Sequence, residues 1–208
     1  PTSPIVPNID IVHNRITLEV FRGCTRGCRF CQAGMIYRPV RERSEENLLK
    51  LAEESLKNTG YEEISLSSLS SSDYSRVSSL IKELVDRYEE KGVGVSLPSL
   101  RIDSFSVQLA RETQRVRKTG LTFAPEVGTD RLSNTVNKNV TENDLYNTVQ
   151  YAFNEGWRRV KLYFMIGLPT ETRDDIDGII QMINRVEKIG RKTVGARFSL
   201  NISINGFV

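Results

Sequence analysis

Three cysteines, Cys24, Cys28 and Cys31, fall in one eight-residue window, Cys24-Thr25-Arg26-Gly27-Cys28-Arg29-Phe30-Cys31, and the chain has no others. A CxxxCxxC triplet offers three thiolates to a four-iron cube and leaves the fourth iron without a protein ligand. An iron with an open position can bind a small molecule and react with it. The window therefore reads as a reaction centre more readily than as an electron store. Two plainer readings compete with it. A structural zinc wants four ligands, yet the one histidine is His13, before the first expected strand, and a fourth cysteine is absent. A ferredoxin-type run is spaced CxxCxxC and needs a fourth cysteine elsewhere.

The elements that must hold this window alternate. Strands are expected at Ile16 to Phe21, Glu63 to Leu69, Val93 to Leu97, Leu121 to Ala124, Val160 to Ile166 and within Gly195 to Ile204. Helices are expected at Ser44 to Asn58, Tyr74 to Lys91, Ser104 to Lys118, Thr129 to Val136, Thr141 to Glu155 and Thr172 to Ile189. Ser44 and Thr141 are the N-caps, with Asn47 standing where a capping box wants Glu or Gln. Gly60, Gly92, Gly120, Gly156 and Gly190 are the expected helix stops. Strand followed by helix, repeated about six times, predicts right-handed crossovers and a parallel sheet. Such a sheet either curls into an incomplete barrel or lies open and doubly wound, and both collect their chemistry at the carboxyl ends of the strands. The polar and glycine-rich punctuation lies there: the cysteine loop, Ser67 to Asp73, Pro98 to Asp103, Pro125 to Asp130 and Gly167 to Glu171.

Composition sets the frame. The 208 residues suffice for one large domain, and 38% hydrophobic content can build a core. A formal charge of +3 indicates neither nucleic acid nor a membrane surface. No apolar run reaches spanning length and no secretory signal opens the chain. Three clustered cysteines make a poor disulfide framework and fit a reducing, cytoplasmic compartment. The start at Pro1 without methionine and the stop at Val208 suggest a segment of a longer protein, with 1–15 as a lead-in and 16–208 as the domain.

The loop, led by the strand Ile16 to Phe21 and with Phe30 before the last cysteine, resembles the radical SAM superfamily, from about Ile16 to Ile204. That resemblance implies an α/β fold, a partial (β/α)6 TIM-like barrel. It implies a [4Fe-4S] cluster on Cys24, Cys28 and Cys31, whose unique iron chelates S-adenosylmethionine. One electron then cleaves the sulfonium bond to methionine and a 5′-deoxyadenosyl radical, which takes hydrogen from a substrate. An external donor such as flavodoxin or ferredoxin is the implied source of the electron. Gly23 and Gly27 would let the loop wrap closely, and Arg22, Arg26 and Arg29 offer positive charge beside it, or only ordinary loop solvation.

The other strand ends supply the candidate cofactor contacts. Family members hold the cofactor's amino group at the second strand, often with Gly-Gly-Glu; this chain departs from that with Ser67, Ser68 and Asp73, in a stretch that equally suits a serine-rich turn with Ser72 or Asp73 capping the next helix. Arg101 suits a cofactor carboxylate or a structural Arg–Asp turn. Glu126 matches the family's polar residue on the fourth strand, and burying an acid at a strand end is costly without a partner. Arg131, on the following helix, is a further candidate or a surface charge. Ile166 and Gly167 resemble the adenine-contact strand, Glu171-Thr172 caps the next helix, and the last strand would supply backbone contacts to adenine.

Within the superfamily, VFRGCTRGCRFCQAG and YRPVRERS resemble the subgroup whose radical domain follows a cobalamin-binding or cobalamin-like domain. A methylthiotransferase acting on tRNA or a ribosomal protein is the alternative among enzymes, and a non-catalytic iron–sulfur module the alternative outside them.

Overall fold

Alternating burial marks the strands. In Ile16–Glu19 (β1) Ile16 and Leu18 are buried while Thr17 is exposed, the period of two that puts successive side chains on opposite faces. The computed structural model describes residues 2–5, 7–98, 101–103, 107–113, 115–116 and 120–208. Five more parallel strands follow: Glu63–Ser67 (β4), Gly94–Ser96 (β5), Leu121–Glu126 (β6), Arg159–Ile166 (β7) and Ser199–Gly206 (β8). A small antiparallel ribbon, Phe21–Arg22 (β2) with Arg41–Glu42 (β3), sits beside β1. The parallel strands pair in chain order, β1-β4-β5 and β6-β7-β8. Among the described residues no ladder joins β5 to β6.

Helices cross between the strands: Glu45–Thr59 (α2), Val77–Tyr88 (α3), Val107–Thr113 (α4), Asp130–Thr135 (α5), Glu142–Asn154 (α6) and Arg173–Val194 (α7), with a short Gln32–Ile36 (α1) after the last cysteine. Sequential parallel strands with crossover helices make the incomplete (β/α)6 barrel that the sequence predicts. Each half has its own apolar core. Leu48, Ile64, Leu66, Leu80, Ile81 and Leu84 are fully buried in the first. Phe123, Leu145, Val149, Leu162 and Val186 are fully buried in the second. A third, small cluster of Val127, Leu132, Val136 and Leu168 receives the ring of Phe30.

Caps set most helix ends. Ser44 accepts from the Asn47 amide, Thr141 and Asp144 form a reciprocal capping box, and Gly60 and Gly92 close their helices in the left-handed conformation. Elsewhere the boundaries differ from expectation. The strand expected through Phe21 divides: Val20 still donates to Ser67 (3.0 Å), then the chain leaves to pair Phe21 with Glu42. The helix expected from Tyr74 begins at Val77, after a 3₁₀ turn at Ser71–Asp73, and closes with another at Glu89–Lys91. Neither Ser72 nor Asp73 caps it.

Gly190 is not a stop. It lies inside α7, where any Cβ would stand 2.2 Å from the Phe198 ring, so it is a slot for that ring and the helix runs on to Gly195. Gly120 leads directly into β6. Ser104 and Lys118, the ends of the third expected helix, lie outside the described residues, as do Ser99 and Leu100.

Candidate functional site

The cysteine loop hangs from the end of β1 and is closed at its base by the β2–β3 ribbon, where Arg43 donates to the Val20 carbonyl (2.9 Å). Gly23 makes the closure possible. It is buried with φ +98°, and a Cβ there would lie 2.2 Å from the Tyr37 carbonyl and 2.8 Å from that of Pro39. Inside the loop two amides point at sulfur: Arg26 N–H at Cys24 Sγ (3.5 Å) and Gly34 N–H at Cys31 Sγ (3.4 Å), so Cys31 caps α1. Burial pushes the Cys28 thiol up, while the cations Lys138 and Arg101 pull it the other way.

All three cysteines face a cavity of about 280 Å³ at the carboxyl ends of the strands. β6 supplies its far wall. The strand alternation buries Leu121, Phe123 and Pro125 and turns Thr122, Ala124 and Glu126 to the cavity. Glu126 holds φ +71°, where the register shifts between Phe123 and Glu126. A non-glycine residue in that region costs about 1–3 kcal/mol and persists only when its surroundings hold it there. Its carboxylate accepts from Lys138 Nζ (3.3 Å), and the same ammonium stands 5.9 Å from the Phe30 ring centroid.

Ion pairs brace the rim. Arg26 donates twice to Asp73 (3.0 and 2.5 Å) and stands 3.6 Å from Asp103, which Arg101 grips with two hydrogen bonds (2.8 and 2.9 Å). Burial alone would raise the Asp73 and Asp103 carboxyls, yet hydrogen bonds from Arg26 and Arg101 hold them below their ordinary value. The loop is also tied to the α5–α6 connection. Asn137 donates to the carbonyls of Arg26 (3.1 Å) and Gly27 (3.0 Å), and Arg29 N–H to that of Val136 (2.9 Å).

Six of the residues expected to hold cluster or cofactor line this one cavity, Cys24, Cys28, Cys31, Phe30, Arg101 and Glu126, and Arg26 of the loop joins them. Ser67 ends β4 and spends its carbonyl on Val20. Ser68 bonds Ser71 and the Ser70 amide, and Asp73 serves Arg26. From that connection it is Leu69 and Ser70 that reach the cavity. Arg131 donates to the Thr170 carbonyl (3.0 Å) and to the buried Asp175, which ties α5 to the start of α7. Ile166 ends β7 and Gly167 follows it, neither lining the cavity, with Gly167 N–H donating to Glu171 (2.6 Å). Sequence reasoning passed over Lys138 and Asn137. Their signal was the Asn137-Lys138-Asn139 run, whose two asparagines take φ +55°, a conformation asparagine tolerates.

The donor set fits a cube better than a single ion. Among the described residues no three His, Cys, Asp or Glu side chains are placed to hold one metal ion. A cube takes one thiolate per iron, so its sulfurs stand apart around a shared object. Three free thiols on one cavity, two of them facing backbone amides, supply that arrangement. Among the described residues no helix is long and apolar enough to cross a membrane.

Known proteins share both sequence and fold with this chain. The profile of the Radical SAM superfamily matches residues 18–183. The uncharacterized protein MJ0966 of Methanocaldococcus jannaschii is 38% identical over 191 residues, which are 92% of this chain and 40% of that protein. This chain thus spans well under half the length of that relative. The radical S-adenosylmethionine methyltransferase TsrM from Kitasatospora setae, solved with tryptophan and a SAM analog, superposes with a TM-score of 0.69 at 14% identity, over 84% of this chain and 34% of that one. The cobalamin-dependent S-adenosylmethionine radical enzyme OxsB superposes at 0.63 and 14% identity, over 84% and 29%.

Proposed function

Because the chain belongs to the radical SAM superfamily, whose cofactors are a [4Fe-4S] cluster and S-adenosylmethionine, we propose that it is the catalytic core of a radical enzyme. The observation that carries this reading is the convergence of Cys24, Cys28, Cys31, Phe30, Arg101 and Glu126 on one cavity at the strand ends. When bound, cluster and cofactor together supply one-electron cleavage of the sulfonium bond, giving methionine and a 5′-deoxyadenosyl radical that abstracts hydrogen from a substrate.

The chain's own residues do the rest. Cys24, Cys28 and Cys31 hold three irons and leave the fourth for the cofactor. Glu126, fixed in an unusual backbone conformation, presents a carboxylate to the cofactor's hydroxyl or amino groups, and Lys138 keeps it oriented. Arg101 is placed for the cofactor's carboxylate while Asp103 fixes its plane. Phe30 fills the floor and keeps water from the cube. In the intact protein a cobalamin is presented to this core. The YRPVRERS style of the sequence and the fold shared with TsrM and OxsB support that assignment.

Anaerobic reconstitution of the intact protein, followed by a strong reductant and S-adenosylmethionine, tests the reading. The expected products are methionine and 5′-deoxyadenosine, and a purified sample is expected to retain cobalamin absorbance. A bound tetrahedral zinc, or a fourth side chain on the cube, overturns the proposal. A stable cluster without cleavage in the intact protein identifies an iron–sulfur module instead.

A further inference from the structure

The inner face of the second half of the barrel is polar. On β7, Val160, Leu162 and Phe164 are buried in the core with side chains of α6 and α7, which turns Lys161, Tyr163 and Met165 to the other face. That is the face on which Thr122 of β6 lines the cavity. Register extends it across three strands: Thr122 pairs with Lys161, and Lys161 with Asn201 on β8. The next row pairs Tyr163 with Ser203. None of Lys161, Tyr163, Asn201 and Ser203 lines the cysteine cavity itself. They continue its β6 wall toward the edge strand β8.

Lys161 is the unexpected member of this strip. It is half-buried, yet among the described residues no carboxylate stands within ion-pairing distance of it, and Glu126 pairs with Lys138 instead (3.3 Å). Its ammonium donates to the Tyr163 hydroxyl (2.7 Å) and stands 4.4 Å from the centroid of that ring. An ammonium has three N–H donors and a phenol one O–H, so after that bond the pair still offers two N–H groups and the phenolic hydrogen. Positive charge and converging donors in a half-buried place are stabilised by an anion, and charge-assisted hydrogen bonds are the strong ones. Arg159, one row lower on this face, is exposed at the foot of the strand. At the level of the phenol the strip therefore offers one positive charge, the match for a carboxylate rather than for a phosphate near −2.

The height of the pair bears on what it would hold. Lys161 lies three residues below Phe164, the partner of Glu126, about 10 Å along the strand. Its ammonium is drawn up one row by the bond to Tyr163. A small molecule seated there reaches the strand ends with its far end.

We propose that Lys161 and Tyr163 seat the carboxylate of the substrate, a small organic acid lying along the barrel interior with its reacting end toward the cysteine cavity. The proposal rests on the radical-enzyme reading above. In that reading the cofactor's own carboxylate goes to Arg101, so a carboxylate seat on another wall serves a second molecule.

The test titrates the intact, reconstituted protein, without reductant or S-adenosylmethionine, with three aromatic probes: benzoate, phenyl phosphate and the neutral benzamide. Calorimetry should show benzoate binding at least about tenfold more tightly than benzamide. Lys161→Met should erase that preference, and Tyr163→Phe should weaken benzoate about three- to tenfold, with circular dichroism and iron content as fold controls. A second readout needs no variant. In trace labelling with acetic anhydride, read by mass spectrometry, benzoate should slow acetylation of Lys161 and benzamide should not. Equal binding of benzoate and benzamide by the wild type overturns the proposal, as does a preference that survives in Lys161→Met or a Lys161 that benzoate leaves unprotected. Tighter binding of phenyl phosphate than of benzoate overturns the carboxylate assignment. Absence of 5′-deoxyadenosine when the wild type receives reductant and S-adenosylmethionine sinks the radical reading and leaves the anion result standing, so the two failures are distinguishable.

Discussion

The two halves of the barrel do different work. β1, β4 and β5 are 4, 5 and 3 residues long, whereas β6, β7 and β8 run 6, 8 and 8. The short strands stop early, and residues of their connections line the cavity: the cysteines of the loop, Leu69 and Ser70, and Pro98, Arg101 and Ile102. The long strands carry functional groups on the strand itself, as β6 does with Thr122, Ala124 and Glu126. One half grips from loops stapled by arginine–aspartate pairs; the other presents groups from a rigid sheet. No ladder joins β5 to β6 among the described residues. The halves meet instead through side chains, among them Arg101 to the Lys138 carbonyl (3.4 Å), Asn137 to the cysteine loop, Phe30 on the small apolar cluster, Thr148 to the Ile102 carbonyl (3.1 Å) and Arg111 to Glu155 (2.5 Å).

The largest break is chemical. Cys28→Ala should abolish cluster assembly and 5′-deoxyadenosine formation while leaving far-ultraviolet circular dichroism unchanged, as read by iron content and product assay. Next come the cores. Leu66→Ala in the first half and Leu162→Ala in the second, both fully buried, should each cost about 2–5 kcal/mol. If the side-chain contacts between the halves couple them, calorimetry will show one transition for each variant; two separated transitions would show the halves to be independent.

A third comparison sets activity against stability at one residue. Glu126→Gln should weaken S-adenosylmethionine binding roughly ten- to a hundredfold, the worth of charged hydrogen bonds of about 1.5–3 kcal/mol. Glu126→Gly should lose the same binding yet gain about 1 kcal/mol of stability by relieving the positive φ. Glycine that melts lower than wild type would deny that the backbone there is strained.

The smallest effect concerns the staples. Burial alone would raise Asp73, yet it titrates below its ordinary 3.8 in the folded chain because Arg26, Ser70 and Arg101 together outweigh that burial. Its contribution is therefore complete above that value and is lost as pH falls through the lower, folded one. Asp73→Asn should flatten the acid limb of a stability-versus-pH profile below about pH 4 and change little at neutral pH. An unchanged acid limb would remove the staple from the account.

The repeat of strand and helix, the caps at Ser44 and Thr141 and the spacing of the cysteines were legible because each is a local pattern. Glu126 was legible because an acid between Pro125 and Val127 breaks an apolar strand. Lys138 was not, since it sits in a connection between helices and gains its role only when β6 and the cysteine loop come together. Arg131 shows the reverse. Its position suggested cofactor contact, yet it meets Asp175, 44 residues away, a pairing no window of sequence contains. The serines after β4 looked available until folding set Ser68 and Ser71 to satisfy one another. The Val20 crossover into β2 was hidden because Ile16 to Phe21 has strand character throughout, and tertiary pairing divided it.

Glu126 is two residues from Gly128, and Gly128 lies against the backbone of α7. A Cβ on Gly128 would stand 2.2 Å from the Ile179 nitrogen, and one on Gly178 would stand 2.4 Å from the Gly128 carbonyl. Two hydrogen atoms thus serve as the gauge that sets how far the carboxylate-bearing strand end lies from the longest helix. Neither position can accept a methyl alone. A sideways creep of that helix would be relayed through bare main chain to the acid, with no side chain between them to absorb it.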